Sequence, residues 1–356
     1  MTVQTLDFPI EKTSNSRLNE VDFNNIAFGK IYSDHMFTAD YTDGEWKNCK
    51  IEPFKNIELS PAISALHYGQ AIFEGMKAYR SQSEEKVLLF RPDKNFERFN
   101  LSAERICMPT IPEEIFINGL KELVNVDRNW VPNQPSCALY IRPYMFATDA
   151  FIGLKPSETY KFIIFTSPVG SYYAEPVRVK IENHYSRACV GGTGAAKFAG
   201  NYAASMYPAK LAQEQGYHQL IWTDAYEHKY IEEAGTMNLM FVLGDTLLTA
   251  PASDTILHGV TRRSIIELAK EKGMKVEERP ILVQEVIEGL QQGTLKEAFG
   301  AGTAATVAHI AQINHKGTDY LLPAVENREF SNWVLQQLSN LQRGIQEDNR
   351  GWIHKL

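Results

Sequence analysis

The first candidate for chemistry is a lysine in a run of small residues, Gly191-Gly-Thr-Gly-Ala-Ala-Lys-Phe198. The run is not a phosphate-binding loop, because such a loop needs Gly before the Lys and Ser or Thr after it; Ala196 and Phe198 stand there. It also lacks the third glycine of the dinucleotide-binding motif. Small apolar neighbours can desolvate a lysine and leave its neutral amine available as a nucleophile. Lys197 is therefore a Schiff-base candidate; the alternative is an ordinary surface lysine beside a glycine turn.

Two adjacent carboxylates, Glu232 and Glu233, precede a short run of small residues and an apolar segment ending at Phe241. Adjacent side chains on a strand point to opposite faces, so one carboxylate is expected to face inward, where it needs a partner. A pyridinium nitrogen is a suitable partner, because a buried carboxylate keeps it protonated and lets a pyridoxal ring take up electrons. A solvated pair of carboxylates at a turn is the alternative.

Two further segments have the composition of anion-binding turns. In the segment 257–263, Gly259 and Thr261 stand at the expected start of a helix, where backbone N–H groups and a hydroxyl can face an anion. The segment 299–305 offers a second turn of small residues that carries the hydroxyl of Thr303. Taken singly, each segment also fits a capped helix or a tight turn. A lysine, a carboxylate and two such turns in one half of the chain favour a common site.

The elements that position these residues have the pattern of an α+β fold with two domains. In the first part, apolar segments predict a sheet with hairpins. Asp93 is expected to cap one amphipathic helix, and Pro112 is expected to open a second. After Tyr172-Tyr173, strands and helices are interleaved, and a hairpin within 241–249 excludes a purely parallel sheet. The predicted division is an N-terminal domain over 1–170, an interdomain loop over 171–178 and a C-terminal domain over 179–356. The N-terminal domain begins with a polar arm over 1–25, which is not expected to be a core element.

Composition excludes several classes of protein. The 356 residues carry 36 Lys and Arg against 43 Asp and Glu, a net charge of −7, which is the wrong sign for a surface that grips nucleic acid. No apolar segment approaches the ~20 residues of a membrane span. Four cysteines, without a Cys-x-x-Cys pair, are typical of reduced thiols in a cytoplasm. We therefore expect a cytoplasmic enzyme with no nucleic acid, membrane or metal as partner.

A series of stretches resembles the branched-chain amino acid aminotransferases, pyridoxal-phosphate enzymes of fold type IV in the class IV aminotransferase family. The resemblance extends from about residue 27 to residue 345. It implies an α+β fold of two domains, similar to D-amino acid aminotransferase, with the active site at the domain interface, and a homodimer. The matching stretches are His67–Tyr79, Leu89–Pro92, Asn95–Arg98, Ala138–Pro143, Lys197–Tyr202, Glu233–Asn238, Gly259–Arg262 and Gly300–Ala304.

The resemblance implies a cofactor site for pyridoxal 5′-phosphate. Lys197 is similar to the lysine that bonds to the cofactor and moves the substrate's Cα proton. Tyr202 is similar to the tyrosine that hydrogen-bonds the phenolic oxygen, and Glu233 to the carboxylate on the pyridine nitrogen. A phosphate cup is implied at Arg98, Val260, Thr261 and Thr303, and an arginine suits a dianion because its contacts are charge-assisted.

The resemblance also implies a pocket that accepts a branched aliphatic chain in one half-reaction and glutamate in the other. Aromatic and thioether walls suit the first substrate, whereas an arginine and tyrosine hydroxyls suit the second. Arg142 is similar to the residue that binds the distal carboxylate of glutamate, and Tyr172 falls where the family has a loop over the substrate. Tyr68 and the Gly153-Leu154 region would be lent across the dimer interface. The remaining implied pocket residues are Phe73, Tyr140, Thr236, Met237 and Ala304.

The expected activity is reversible transfer of the amino group between L-leucine, L-isoleucine or L-valine and 2-oxoglutarate by a ping-pong mechanism. Two alternatives keep the fold and cofactor, namely a D-amino acid aminotransferase and an aminodeoxychorismate lyase. A non-catalytic binding protein on the same scaffold would be expected to have lost Lys197 or Glu233. One departure is visible: mammalian relatives carry a redox Cys-x-x-Cys where this chain has Ala305-Thr-Val-Ala308, so thiol regulation is not expected there.

Overall fold

The computed structural model describes residues 8–170, 172–173 and 175–356. The chain divides into two compact units: unit 1 comprises the residues up to Tyr172 with 197–200 and 340–356, and unit 2 comprises Tyr173–Ala196 and Asn201–Ser339. The predicted domain boundaries, 1–170, 171–178 and 179–356, stay a prediction. Residues 1–7 of the predicted arm and residues 171 and 174 of the predicted loop lie outside the described residues.

The strands and helices follow one another along the whole chain. In chain order, the strands are β1 (His35–Thr42), β2 (Glu45–Pro53), β3 (Ala71–Phe73), β4 (Met76–Arg80), β5 (Val87–Phe90), β6 (Ala138–Ala147), β7 (Tyr160–Val169), β8 (Val177–Ile181), β9 (Gln219–Thr223), β10 (Tyr230–Ala234), β11 (Met237–Leu243), β12 (Thr246–Thr249), β13 (Lys275–Glu278), β14 (Ile281–Leu282), β15 (Leu295–Gly302), β16 (Thr306–His315), β17 (Thr318–Leu321) and β18 (Ile353–Lys355). The α-helices are α1 (Ser64–Tyr68), α2 (Pro92–Arg105), α3 (Gly119–Val126), α4 (Ala199–Glu214), α5 (Val260–Glu271), α6 (Val283–Gln292) and α7 (Glu329–Gln342). In the described ranges, the helices are too short or too polar to span a membrane.

Unit 1 is built on an antiparallel sheet in the order β18-β5-β4-β6-β7-β1-β2, with β3 paired to β6. An aromatic cluster fills its core: Phe99 of α2 and Phe116 lie 5.5 and 5.7 Å, between ring centroids, from Phe162 of β7. The helical spacing of apolar residues in α2 brings Phe99 to this cluster. Gly119 at the start of α3 makes room for Phe37, whose ring would lie 2.8 Å from an added Cβ.

Unit 2 is built on a sheet in the order β13-β12-β11-β15-β16-β8-β9-β10-β14, with β17 paired to β16. Strand β10 also pairs with β11, so the path β11-β15-β16-β8-β9-β10 closes into a ring of strands. Strand β8 is parallel to both of its neighbours, whereas β11 and β12 form an antiparallel hairpin that joins Leu243 to Thr246. The expectation of a sheet that is not purely parallel is confirmed.

Two local predictions are wrong. Asp93 does not cap α2: the helix begins at Pro92, after Arg91 in a left-handed conformation (φ 48°), and Asp93 is already in its first turn. Proline suits the first helical position because its fixed φ is helical and its missing N–H needs no partner there. The arm over 1–25 was expected to hold no core element, yet the ring of Phe8 is buried 5.0 Å from that of Phe37.

Candidate functional site

In unit 1, the backbone of Lys197 is held from two sides. The N–H of Phe73 in β3 donates to the Lys197 carbonyl (3.1 Å), and the N–H of Lys197 donates to Ser102 Oγ in α2 (2.9 Å). The partly buried side chain places Nζ 4.7 Å from the centroid of the Phe73 ring. Lys197 is thus fixed through its main chain, while its amine lies over an aromatic face.

Glu74, which sequence reasoning did not single out, is the fully buried carboxylate of this region. It accepts hydrogen bonds from Arg98 Nε (2.7 Å), Arg98 Nη2 (2.9 Å), Asn95 Nδ2 (2.7 Å) and the Gly75 N–H (3.0 Å). Burial by itself raises the pKa of Glu74, but the charge and hydrogen bonds of Arg98, with the charge of Lys197, hold the pKa below its ordinary value. A charge inside an apolar stretch, Phe73-Glu74-Gly75, was the available signal.

Three predicted pocket residues meet on one face of the sheet in unit 1. The Arg142 guanidinium lies 4.8 Å from the centroid of Phe73 and 5.3 Å from that of Tyr140, and its Nη2 donates to Tyr140 Oη (3.0 Å). Alternation along β6 places Tyr140 and Arg142 on the same face. Gly75 is required beside them, because an added Cβ would lie 2.1 Å from Tyr140 Oη. In the described part of the chain, Arg142 Nε is buried without a hydrogen-bond partner.

Two other tyrosines of the predicted pocket have different surroundings. Tyr172 is joined to Tyr140 through Phe28, whose ring centroid lies 5.0 Å from Tyr172 and 5.2 Å from Tyr140. Tyr172 is 37% exposed, and its partial burial raises its pKa, to which Tyr140 contributes. Tyr68, the last residue of α1, is exposed.

Lys77 of β4 is a second residue that sequence reasoning missed. It is the register partner of Tyr140 across the β4–β6 pair. Burial lowers its pKa to about 8, and the positive charge of Arg343 contributes. A lysine between the apolar residues Met76 and Ala78 was the signal. This face of the sheet therefore carries two basic side chains, Lys77 and Arg142, next to tyrosine rings.

In unit 2, Glu233 of β10 is buried and has partners at both carboxylate oxygens. Oε1 accepts from Asn238 Nδ2 (2.9 Å) and from the Leu257 N–H (2.9 Å), and Oε2 pairs with Arg187 Nη2 (2.9 Å). Glu232 is buried as well, and burial raises its pKa. As expected, one of the two carboxylates, Glu233, faces inward. Glu232, however, is not exposed to solvent on the opposite face. Arg187 was not identified from the sequence.

Three of the predicted site residues line a cleft of unit 2. Tyr202 of α4, Glu233 and Thr236 line it together with Arg187 and Leu257. Met237 follows at the start of β11, and its thioether packs on Gly300, where an added Cβ would lie 2.6 Å from the terminal methyl. The implied Thr303 and Ala304 lie in the turn between β15 and β16, partly buried.

The N-terminus of α5 carries the implied phosphate residues Val260 and Thr261, both buried. The residue before them, Gly259, is extended, and no side chain of the described residues caps the helix. The first N–H groups of a helix have no partner within it and form a natural anion site. Gly259 also packs on Asn238, because an added Cβ would lie 1.9 Å from Asn238 Oδ1.

A larger cavity of unit 2, about 610 Å³, holds none of the predicted site residues. Lys272, Lys296, Asp245 and Glu297 are among its charged lining residues. Lys296 pairs with Asp245 (2.9 Å), Lys272 Nζ lies 4.5 Å from the centroid of the Trp333 ring, and Glu297 accepts from the N–H groups that begin α7. Because these charges already have partners, the size of this cavity alone does not indicate a ligand.

Comparison with known proteins identifies the family. A family model described as Amino-transferase class IV matches residues 71–313. The chain belongs to the class IV aminotransferases. Branched-chain-amino-acid aminotransferase 2 of Bacillus subtilis (strain 168) is 42% identical over 360 residues, which cover 100% of this chain and 98% of that protein. The predicted family and the expectation of a transaminase are therefore confirmed.

Solved structures of branched-chain amino acid aminotransferases have the same fold. The branched-chain amino acid aminotransferase of Escherichia coli superposes with a TM-score of 0.72 at 25% identity, over 90% of this chain and 98% of that one. The T.th. branched-chain amino acid aminotransferase with pyridoxamine 5′-phosphate has a TM-score of 0.70 at 25% identity, over 89% of this chain and 97% of that one. The predicted α+β fold of type IV is confirmed.

Proposed function

We propose that this class IV aminotransferase transfers the amino group reversibly between L-leucine, L-isoleucine or L-valine and 2-oxoglutarate, with pyridoxal 5′-phosphate as cofactor. The observation that carries the proposal is the full-length likeness to a relative named as a branched-chain aminotransferase. The chemistry of the two units supports it independently.

The side chains of unit 2 fit a phosphorylated pyridine. Glu233 is a buried acceptor suited to a ring N–H, and it is held in place by Arg187, Asn238 and the Leu257 N–H. The uncapped start of α5 at Val260 and Thr261 suits a phosphate. Pyridoxal phosphate, when bound, supplies the electron sink that protein side chains lack. Tyr202 would donate to its phenolic oxygen, and Thr303 would add a hydroxyl to the phosphate contacts.

Unit 1 contributes the proposed base. Lys197 would act as a positioned general base that takes the proton from Cα of the amino acid and would deliver it to the C4′ carbon of the cofactor. Its backbone bonds to Phe73 and Ser102 hold the lysine while the proton moves. Arg98 would contribute a guanidinium to the phosphate, and Glu74 fixes the orientation of that guanidinium.

The substrate side is proposed at the cluster of Phe73, Tyr140 and Arg142. The aromatic faces suit a branched aliphatic side chain, and the unpartnered Arg142 Nε in the described structure offers a donor to the distal carboxylate of glutamate. The other pocket residues that we propose are Tyr68, Tyr172, Thr236, Met237 and Ala304.

We also propose a homodimer in the cytoplasm. In unit 1, the N–H of Ser64 in α1 bonds to Asp149, and exposed apolar residues lie on both segments: Leu66 is 69%, Ile152 71% and Leu154 88% exposed. Large exposed apolar side chains on neighbouring segments are typical of a covered interface. Replacing Leu154 with Glu should convert a dimer into a monomer in analytical ultracentrifugation. The four free cysteines suit a reducing compartment.

The deciding experiment is the visible absorption spectrum of the purified protein before and after addition of L-leucine, with D-alanine as the control. Loss of the band of lysine-bound cofactor with L-leucine alone is the expected result. Conversion by D-alanine alone would favour the D-amino acid aminotransferase, and conversion by neither would favour the lyase. A protein that never develops the band with added pyridoxal phosphate would contradict the proposed cofactor and the role of Lys197.

A further inference from the structure

One amide side chain joins two features of unit 2. Asn238 Nδ2 donates to Glu233 Oε1 (2.9 Å) and also to the Leu257 carbonyl (2.8 Å). The Leu257 N–H donates to the same Glu233 oxygen (2.9 Å), and the Gly259 N–H donates to the Leu257 carbonyl (2.8 Å). Glu233 is therefore connected, through Asn238 and Leu257, to Gly259, the residue that precedes α5.

The other side of the amide is in contact with Gly259. An added Cβ at that glycine would lie 1.9 Å from Asn238 Oδ1, far inside van der Waals contact. Gly259 is extended rather than left-handed (φ −62°), so it is the close approach, and not the backbone angle, that requires glycine. Asn238 is buried, and the amide fills the space between Glu233 and the start of α5.

We propose that Asn238 is a positioning residue that fixes the spacing between the Glu233 carboxylate and the N-terminus of α5. The inference rests on the proposed function, in which Glu233 takes the pyridine nitrogen and α5 takes the phosphate of the same molecule. A fixed spacing makes the two ends of that ligand bind cooperatively, because the second end binds without a further ordering cost.

The chemistry of the site selects an amide. Both groups that Nδ2 meets, a carboxylate and a carbonyl, are acceptors, and an amide NH₂ has two N–H donors for them. Aspartate would place a second acceptor against Glu233, and alanine would leave both acceptors without their donor. Neither aspartate nor alanine preserves the hydrogen bonds to Glu233 and Leu257, although each side chain is small enough to fit in the place of Asn238.

The test compares two probes that do not bond to lysine, pyridoxamine 5′-phosphate and pyridoxamine, by fluorescence titration of the full-length chain. The dissociation constant of pyridoxamine divided by that of pyridoxamine 5′-phosphate measures how much affinity the phosphate adds. We expect that ratio to fall roughly tenfold in Asn238→Ala and Asn238→Asp, as is typical when residues supporting a bound group are removed. Asn314→Ala is the matched control, because Asn314 is also buried and its Nδ2 also donates to a carboxylate, that of Asp319 (2.6 Å).

A second substitution, at Gly259, distinguishes a loss of positioning from a general loss of structure. Gly259→Ala should lower the same ratio, since its methyl group must displace the amide. The double variant Asn238→Ala with Gly259→Ala should lose less than the sum of the single variants, because removing the amide makes room for the methyl group. An unchanged ratio in Asn238→Ala, or a loss equal to that of Asn314→Ala, would overturn the proposal. Failure of the unaltered chain to bind pyridoxamine 5′-phosphate would instead overturn the proposed function.

Discussion

Arg98 and Glu74 are joined by two hydrogen bonds inside unit 1, from Nε to Oε1 (2.7 Å) and from Nη2 to Oε2 (2.9 Å). Asn95 and the Gly75 N–H complete the shell around the carboxylate. The plane of the guanidinium is therefore fixed by the protein itself, before any anion approaches. Such pre-organisation reduces the entropy that a bound phosphate would otherwise lose to ordering the side chain.

Replacing Glu74 with Gln should destabilise the protein by about 3–5 kcal/mol, since it leaves the buried Arg98 charge without its partner. The free energy of unfolding from urea titration measures the loss. Glu158→Gln is the control, because Glu158 pairs with Lys155 at the surface, where the side chains are 77% and 43% exposed, and such pairs contribute about 0–1 kcal/mol. Similar losses of unfolding free energy in Glu74→Gln and Glu158→Gln would contradict the prediction that burial makes the Glu74 pair the more important one.

The stabilisation by Glu74 should also depend on pH. Because its pKa in the folded protein lies below the ordinary 4.5, the stabilisation is fully present above that value and is lost as the pH falls through the folded pKa. The difference in unfolding free energy between the unaltered protein and Glu74→Gln should therefore be constant near neutral pH and shrink in acid. A difference that grows in acid would contradict this prediction.

Lys77 should make the protein more stable as the pH rises. Its pKa falls from 10.5 to about 8 on folding, so between these values the unfolded chain binds more protons and the free energy of unfolding increases with pH. The gain amounts to about 3 kcal/mol, from 1.36 kcal/mol per unit of pKa. Lys77→Met and Lys77→Gln should both lack it, which urea titrations at a series of pH values would show. Parallel curves for the unaltered and variant proteins would refute the prediction.

Gly119→Ala should destabilise unit 1 by about 1–3 kcal/mol, the usual cost of overpacking. The added methyl group would lie 2.8 Å from the fully buried ring of Phe37, which packs against the rings of Phe8 and Phe162. Thermal unfolding measures the effect. Asn125→Ala, at an exposed position of the same helix, is the control; an equal loss there would mean that the Phe37 contact is not the cause.

Local patterns predicted the elements, whereas contacts between distant residues did not appear in the sequence. The spacing of Phe96, Phe99 and Ala103 predicts α2, because helical periodicity is a property of neighbouring residues. The closure of the unit 2 ring by β10 and β11 depends on how six strands pair, which no short window contains. Arg187 was missed for the same reason, since it stands 46 positions before its partner Glu233 and carries no motif of its own.

Replacing Lys197 with Ala should abolish transamination while leaving the fold intact. Both backbone hydrogen bonds that hold this residue, to Phe73 and to Ser102, involve main-chain atoms of Lys197 and survive the substitution. The variant loses the amine and hence the proposed base, so turnover of L-leucine with 2-oxoglutarate should fall by at least about 10²–10⁴-fold, the contribution typical of a general base. Lys210→Ala, at a lysine 73% exposed on α4, should retain full turnover. Appreciable steady-state turnover by a folded Lys197→Ala protein would contradict the proposed mechanism, and circular dichroism would show whether the protein is folded.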